Sequence, residues 1–484
     1  MRRFFWPRKL PLSYYLDIDL LDLCAGLFIL GTTGSGKSSA LRILANWILN
    51  HPFHPAYAGL VKDICVLWCC CKVDEADAAE RVIAATAKRD YLVRLRPAEF
   101  AFNFVVYELT REGGSPASLA RLLDRLNTQL NNTSGTAGTN EKFWQGLLFD
   151  YLYAAIWVAW LAYGTECTIE HIHDIILTSP ANEQQAKSPT FRERSACWQA
   201  LMRADKNVKT AAEDRALFKA GEFFTVKATN LGDDCRGSGI QSVSSVLAPF
   251  LISPIYETVC SPSSKFTPDL LLTGMCCILD FPILIYGQSG MLFQSLVTMM
   301  LQEAVLRRKN PNSICLIVRD EFQYLCADPM FESQVASVGR SSLLTQISST
   351  QNIPLLQLAC GGDARAETFV HSMLANYRNK LLLANICDRT NRLFSEMFGD
   401  FKDQFVSISE SHSQPDDPLG QMFSANPFQF STSESLFPKL PAHQFLTLRR
   451  GGPQFNYLID GYWTVGGQTF ANGLPFKKIT FSQK

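Results

Sequence analysis

The chain has 484 residues, 47% of them apolar and 19% charged, which excludes a disordered or fibrous protein and leaves room for two or three domains around a substantial core. Its 45 basic side chains balance 45 acidic ones, so no global basic field marks a nucleic-acid partner. Any such contact must come from local patches or from the inside of an assembly.

The first 26 residues open on the basic, aromatic stretch MRRFFWPRKL and continue as an amphipathic segment. Leu27–Leu30 is a short apolar strand, followed by a Gly-rich loop and a helical stretch from Ala40 to Leu49. Ile64–Cys71 reads as a strand ending at Lys72-Val73-Asp74-Glu75, Ala76–Lys88 as a helix and Tyr91–Leu95 as a strand. From Ser115 to about Ile252 helical periodicity dominates, over Pro116–Leu130, Glu141–Tyr163, Thr168–Leu177, Arg192–Val208 and Gly239–Phe250. Polar loops are expected at Asn131–Asn140 and Pro180–Pro189. Strand–helix alternation then resumes with strand Leu271–Phe281, helix Gly290–Lys309 and strand Ser313–Val318. Helix Met330–Val338, strand Leu343–Ser349, helix Ala364–Tyr377, strand Asn379–Ala384 and helix Arg389–Phe398 follow. Phe401–Pro438, rich in Ser, Gln, Pro and Asp, reads as a loop, and the stretch GGPQFNYLIDGYWTVGGQTF alternates like a β-ribbon. Alternating strands and helices predict an α/β fold with a parallel sheet, and the resumption after residue 252 makes the helical block an insertion.

Fifteen cysteines include Cys69-Cys70-Cys71 and Cys276-Cys277 within apolar runs, where neighbours alternate across a strand and cannot all ligate one metal. The absence of a Cys-x-x-Cys pair argues against zinc, and the absence of a secretory signal predicts buried, reduced thiols in a cytoplasmic protein. Leu147–Tyr163 is apolar enough to suggest a membrane span. As a helix it covers about 25 Å against a hydrocarbon core of roughly 30 Å, and Asp150 interrupts it, so a buried helix is expected.

Gly31-Thr32-Thr33-Gly34-Ser35-Gly36-Lys37-Ser38-Ser39, set between an apolar strand and a helix, has the order a nucleoside triphosphate site needs. The glycines let backbone N–H groups wrap a polyphosphate, Lys37 reaches the β/γ-phosphates and Ser38 takes magnesium. The helix points the positive end of its dipole at the anion. A second element is the apolar strand ending in Arg319-Asp320-Glu321-Phe322. In ATPases with an additional strand, such an acid pair faces the phosphate loop, with Asp320 for the metal and Glu321 to polarise the attacking water. Gln351, at the end of the strand expected beside the acidic one, is placed to touch a γ-phosphate. Arg340, outside that strand, is a candidate arginine finger reaching across a subunit boundary, a role worth roughly 10³–10⁵ in rate.

Three further groups carry less. His171 and His173 in Glu170-His-Ile-His-Asp174 would point about 200° apart on a helix, so they do not form a metal cluster. Arg307-Arg308-Lys309 suits either a helix C-terminus or a DNA contact. Arg449-Arg450 suits a surface turn or a phosphate contact.

Together GTTGSGKS at Gly31–Ser38, RDEF at Arg319–Phe322 and the GR…STQ arrangement from Gly339 to Gln351 resemble the cytoplasmic ATPase of type IV secretion coupling proteins. These are the TraG/TraD group of conjugative DNA pumps, within the FtsK/HerA-like superfamily. Asn103–Glu108 (NFVVYE), Phe143-Trp144 and Ala375–Asp400 add to the resemblance, which runs from about Gly26 to the C-terminus. It implies a RecA-like P-loop core over residues 1–109 and 261–484, an inserted all-α domain over 110–260, and a homo-hexameric ring in which ATP turnover with Mg moves DNA. Family members carry transmembrane helices before the phosphate loop, whereas the roughly 30 residues before Gly31 contain no stretch long enough to span a bilayer. A membrane-anchored or secretion-channel protein is then an implied partner, or the chain is a soluble relative. Three functions fit: a coupling-type DNA motor, a HerA-like DNA-processing motor, and a nucleotide-gated adaptor that recruits protein substrates.

Overall fold

The computed structural model describes residues 20–50, 63–134, 141–410 and 428–483. The basic lead-in of residues 1–10 and the second half of the expected 131–140 loop lie outside the described residues.

Among the described residues eleven strands are set among helices along the chain. They are β1 (Leu27–Leu30), β2 (Asp63–Cys70), β3 (Leu92–Leu95), β4 (Cys276–Asp280), β5 (Ser313–Arg319), β6 (Leu344–Thr350), β7 (Asn379–Leu383), β8 (Asp400–Glu410), β9 (Phe428–Pro438), β10 (Leu458–Val465) and β11 (Phe476–Ser482). Nine form one sheet in the order β11-β10-β7-β1-β6-β5-β2-β4-β3. The seven from β7 to β3 are parallel, as helical crossovers require, and β10 closes the β7 edge antiparallel. This is a RecA-like α/β core in which β6 lies between the strand feeding the Gly-rich loop and the strand carrying the acid pair.

Strands buried on both faces read as continuous apolar runs, and β2 shows how such a run divides. Val66, Trp68 and Cys70 pack with helices 37–50 and 75–84, whereas Cys65, Leu67, Cys69 and Cys71 face the opposite core. The three successive cysteines therefore split between two faces, as period-2 geometry demands. The second core runs from the sheet through helices 283–307 and 116–134 into the helical block. There helix Glu141–Tyr163 is surrounded by helices 116–134, 169–177, 196–207, 211–222 and 233–247. Being enclosed explains why it is apolar on every side. Two helices among the described residues, Phe143–Glu166 and Ile283–Arg307, are long and apolar enough to cross a membrane; 61% and 67% of their apolar windows are buried inside the fold.

Several local expectations change. Residues 401–410 and 428–438 are not a loop: β8 and β9 pair antiparallel from Asp400↔Pro438 to Glu410↔Phe428, and residues 411–427 lie outside the described residues. The ribbon projects from the body, so Val406, Ile408 and Leu436 stay exposed and no apolar face marks it in the sequence. Backbone pairing and cross-strand contacts such as Lys402–Glu434 (3.4 Å) hold it. The expected C-terminal ribbon exists as β10–β11, yet it extends the main sheet rather than standing apart. The expected strand 271–281 shortens to β4: Leu271 closes the helical turn Pro268–Leu271, and a turn holding Gly274 at φ +107° precedes the strand. Helix 283–307 starts earlier than Gly290 because it continues across a non-helical Gly287. Residues 180–189 hold the short helix Glu183–Lys187 and the start of helix Pro189–Arg194.

Candidate nucleotide site

The loop after β1 turns on two glycines with positive φ, Gly34 (+75°) and Gly36 (+91°), a conformation other residues adopt only under strain. Any Cβ at Gly36 would also collide with Ile459 of β10. The loop is tied to both neighbouring strands: the Thr32 amide donates to Ala384 O (3.0 Å) and the Gly31 amide to Thr350 O (3.4 Å). Ser35 is fully buried, and its hydroxyl has no hydrogen-bond partner. Lys37 and Ser38 open the helix Lys37–Asn50. The Lys37 ammonium folds back onto Thr32 O (3.2 Å). Burial pushes its pKa down, and the charges of Glu321 and Asp320 oppose that shift. Ser39 accepts a hydrogen bond from Gln483 (3.2 Å) and faces away from the acid pair.

Asp320 and Glu321 follow β5 directly, and Glu321 is held in the left-handed region (φ 53°, ψ 51°). A non-glycine residue there is strained, and such strain concentrates at functional sites. The acid pair and the loop meet across β6. Ser38 Oγ donates to Asp320 Oδ2 at 2.6 Å, and Ser349 Oγ bonds the other carboxylate oxygen. Gln351 links the two sides, accepting from Thr33 Oγ1 (3.3 Å) and donating to Glu321 Oε2 (3.5 Å). Gln323 also donates to Glu321 Oε2 (2.8 Å), and Thr350 in turn holds Gln323 (2.8 Å). Burial would raise the Asp320 carboxyl, but Lys72, Ser349 and Ser38 outweigh it and hold it below the usual carboxylate range.

The residues fit a magnesium nucleotide. Ser38 and Asp320 present hard oxygen donors on one side of the loop, and the open space beside Gly34 leaves room for a polyphosphate against backbone amides. Arg340 stands elsewhere. It precedes β6, at the sheet edge opposite the phosphate loop and about 20 Å away by strand length, half-exposed and 3.4 Å from Asp22. It cannot serve the loop of its own chain. His171 caps its own helix, its Nδ1 accepting from the Thr168 amide (3.1 Å), and stacks on Tyr163. Arg308 is spent on Ser313 O (2.8 Å) and Ser342 O, and Arg449 on Asp460 (2.7 Å).

Sequence reasoning missed Lys72. It lies directly after β2, beside β5, with its Nζ 2.8 Å from Glu321 Oε1 and 3.2 Å from Asp320 Oδ2. Burial works against its charge, yet the two acids together hold the ammonium above the usual lysine range. Glu75, also missed, accepts the amides of Cys71 (3.0 Å) and Lys72 (3.3 Å). Burial and the nearby Asp320 push its carboxyl up to about 8. The available signal was position: a charged residue ending a buried parallel strand lands at the edge where α/β sheets bind ligands.

A Gly-rich loop between strand and helix, facing an acid pair across an intervening parallel strand, defines a P-loop core of the RecA-like type. No family model and no curated protein sequence matches the chain. Among solved structures, the fold is similar to that of the plasmid coupling protein TrwB. With its complex with the non-hydrolysable ATP analogue ADPNP the TM-score is 0.58 at 13% identity, covering 95% of this chain and 86% of that one. The TrwB complex with ADP and Mg2+ gives 0.56 at 12% identity over 96% and 86% of the two chains. The unbound bacterial conjugative coupling protein TrwBdeltaN70 gives 0.54 at 14% identity over the same shares.

Proposed function

We propose that the chain is a magnesium-dependent ATPase of the conjugative coupling type that drives DNA translocation. One observation carries this reading: phosphate-loop Ser38 and acid-pair Asp320 meet at 2.6 Å, with Gln351 bridging the loop to Glu321. The shared fold with TrwB, solved with ADP and Mg2+, supports it. Lys37 binds the β- and γ-phosphates, with Gly31, Thr32, Thr33, Gly34, Ser35 and Gly36 supplying the cradle and Ser39 lying in the first turn of the helix behind it. Ser38 and Asp320 would hold magnesium, which supplies charge neutralisation on the polyphosphate. Glu321 accepts a proton from the attacking water as its oxygen bonds to the γ-phosphorus and the bond to the β–γ bridging oxygen breaks. Gln351, touching both Thr33 and Glu321, senses whether the γ-phosphate is present. Arg340, unable to act within its own chain, completes the site of a neighbour in a homo-hexamer. Residues 110–260 form the inserted all-α domain of this motor, and a membrane-anchored partner would tether it.

The test is ATP turnover with and without single- and double-stranded DNA, alongside mass in solution. Turnover should be stimulated by DNA, and Glu321→Gln should bind ATP yet hydrolyse none. A log–log salt slope near roughly −5 is expected for about six phosphate contacts on duplex DNA. Turnover indifferent to DNA at low salt, with nucleotide binding intact, would instead favour the adaptor.

A further inference from the structure

Lys72 is placed too deliberately for a surface lysine. Glu75 clamps the turn after β2 through the amides of Cys71 and Lys72, and its side chain is buried. That clamp projects the Lys72 ammonium onto both members of the acid pair, at 2.8 Å and 3.2 Å. The Asp320 oxygen it touches is the one that accepts from Ser38 Oγ. The ammonium therefore borders the contact assigned to the metal. Other groups facing the pair are neutral or occupied elsewhere. Ser349 lies on the far oxygen of Asp320, Gln323 and Gln351 hold the other oxygen of Glu321, and Lys37 is folded onto Thr32 O.

We propose that Lys72 is the resident countercharge of the acid pair, and that loading of a magnesium nucleotide displaces its ammonium from Asp320 while leaving it on Glu321. This rests on the reading of Ser38 and Asp320 as the metal holders. Two buried carboxylates side by side need a compensating cation when the site is empty. A divalent ion and an ammonium repel each other strongly at one carboxylate oxygen. Magnesium must then compete with Lys72, so the lysine weakens metal binding in exchange for an empty site that stays compensated. Afterwards the ammonium stays on Glu321 Oε1 and orients that carboxylate, which makes Lys72 a positioning residue.

The experiment reads binding, not turnover. The affinity of the intact chain for a fluorescent ADP is measured by anisotropy across a magnesium titration, for wild type, Lys72→Met, Lys72→Gln and Lys72→Arg. Removing the charge should lower the magnesium midpoint about three- to tenfold. Lys72→Arg, which keeps the charge, should stay within about twofold of wild type. Thermal melts identify folded variants, and Lys72→Gln carries the test if the methionine variant does not fold. An unchanged or higher midpoint in a folded, charge-free variant would overturn the role of Lys72 while leaving the metal site standing. A wild-type chain whose ADP affinity ignores magnesium would overturn the metal reading and this inference with it.

Discussion

Cutting Glu332 back to alanine should be among the most damaging single changes in the sheet. Arg319, the residue before the acid pair, is fully buried, and so is Glu332 on helix Pro329–Val338. Their guanidinium and carboxylate form a two-pronged pair at 2.6 and 2.9 Å. Gln346 (2.6 Å) and Tyr377 (3.1 Å) also accept from the arginine, while Gln302 donates to Glu332 at 3.1 Å. Glu332→Ala leaves a guanidinium in a dry core without its counterion, a loss of about 3–5 kcal/mol. With a urea m-value of about 3 kcal/mol per molar, the midpoint should fall by about 1 to 1.7 M. Fluorescence of the buried Trp68 and Trp463 in the sheet reports the transition. Glu332→Gln keeps an oxygen acceptor but not the charge, and should fall between alanine and wild type. Asp388→Ala is the control: its partner Arg392 lies one helical turn away on the surface, and the change should cost within about 0.5 kcal/mol. If Glu332→Ala unfolds no more easily than Asp388→Ala, the buried pair does not hold β5 to that helix. The double variant Arg319→Met/Glu332→Leu should recover much of the loss, because no uncompensated charge remains.

Lys37→Ala should remove binding of ATP and ADP phosphates without lowering the melting temperature; retained affinity in a direct binding assay would refute its role. Arg340→Ala should bind ATP normally and hydrolyse it poorly. Mixing it with Glu321→Gln should restore part of the activity, since some interfaces then pair an intact base with an intact finger. Mixed assemblies, verified by mass, that show no rescue would end the assignment in trans. Burial lowers Lys380 from near 10.5 to about 8. Between those values the unfolded chain holds the proton more tightly, so stability rises with pH there and the penalty stands in full below about pH 8. Lys380→Met should therefore stabilise the protein at pH 7 by at most about 3 kcal/mol, less the lost bond to Tyr377 O (2.6 Å), with the gain gone by about pH 10.5. A destabilised variant at pH 7 would contradict the shift.

The local chemistry of this protein is written in short stretches of sequence. A loop of Gly34, Gly36, Lys37 and Ser38 after an apolar strand specifies its own backbone, because only glycine accepts those turns without strain and the helix start follows at once. The acid pair after Val318 and the polar end of β6 were legible for the same reason, since strand ends and helix starts are encoded by neighbours. What the residues could not state was adjacency. That β2 lies beside β5, so that Lys72 falls on Asp320 and Glu321, depends on strand order, which long-range packing decides. The same holds for Arg340, whose distance from its own loop follows from the direction of β6. The β8–β9 ribbon reads as a loop in the sequence because its pairing is made by backbone hydrogen bonds between residues 400–410 and 428–438 and not by an alternating buried face. Motifs are local and survive in the sequence; the contact of Lys72 with the acid pair, the place of Arg340 and a projecting ribbon exist only once the sheet has brought distant segments together.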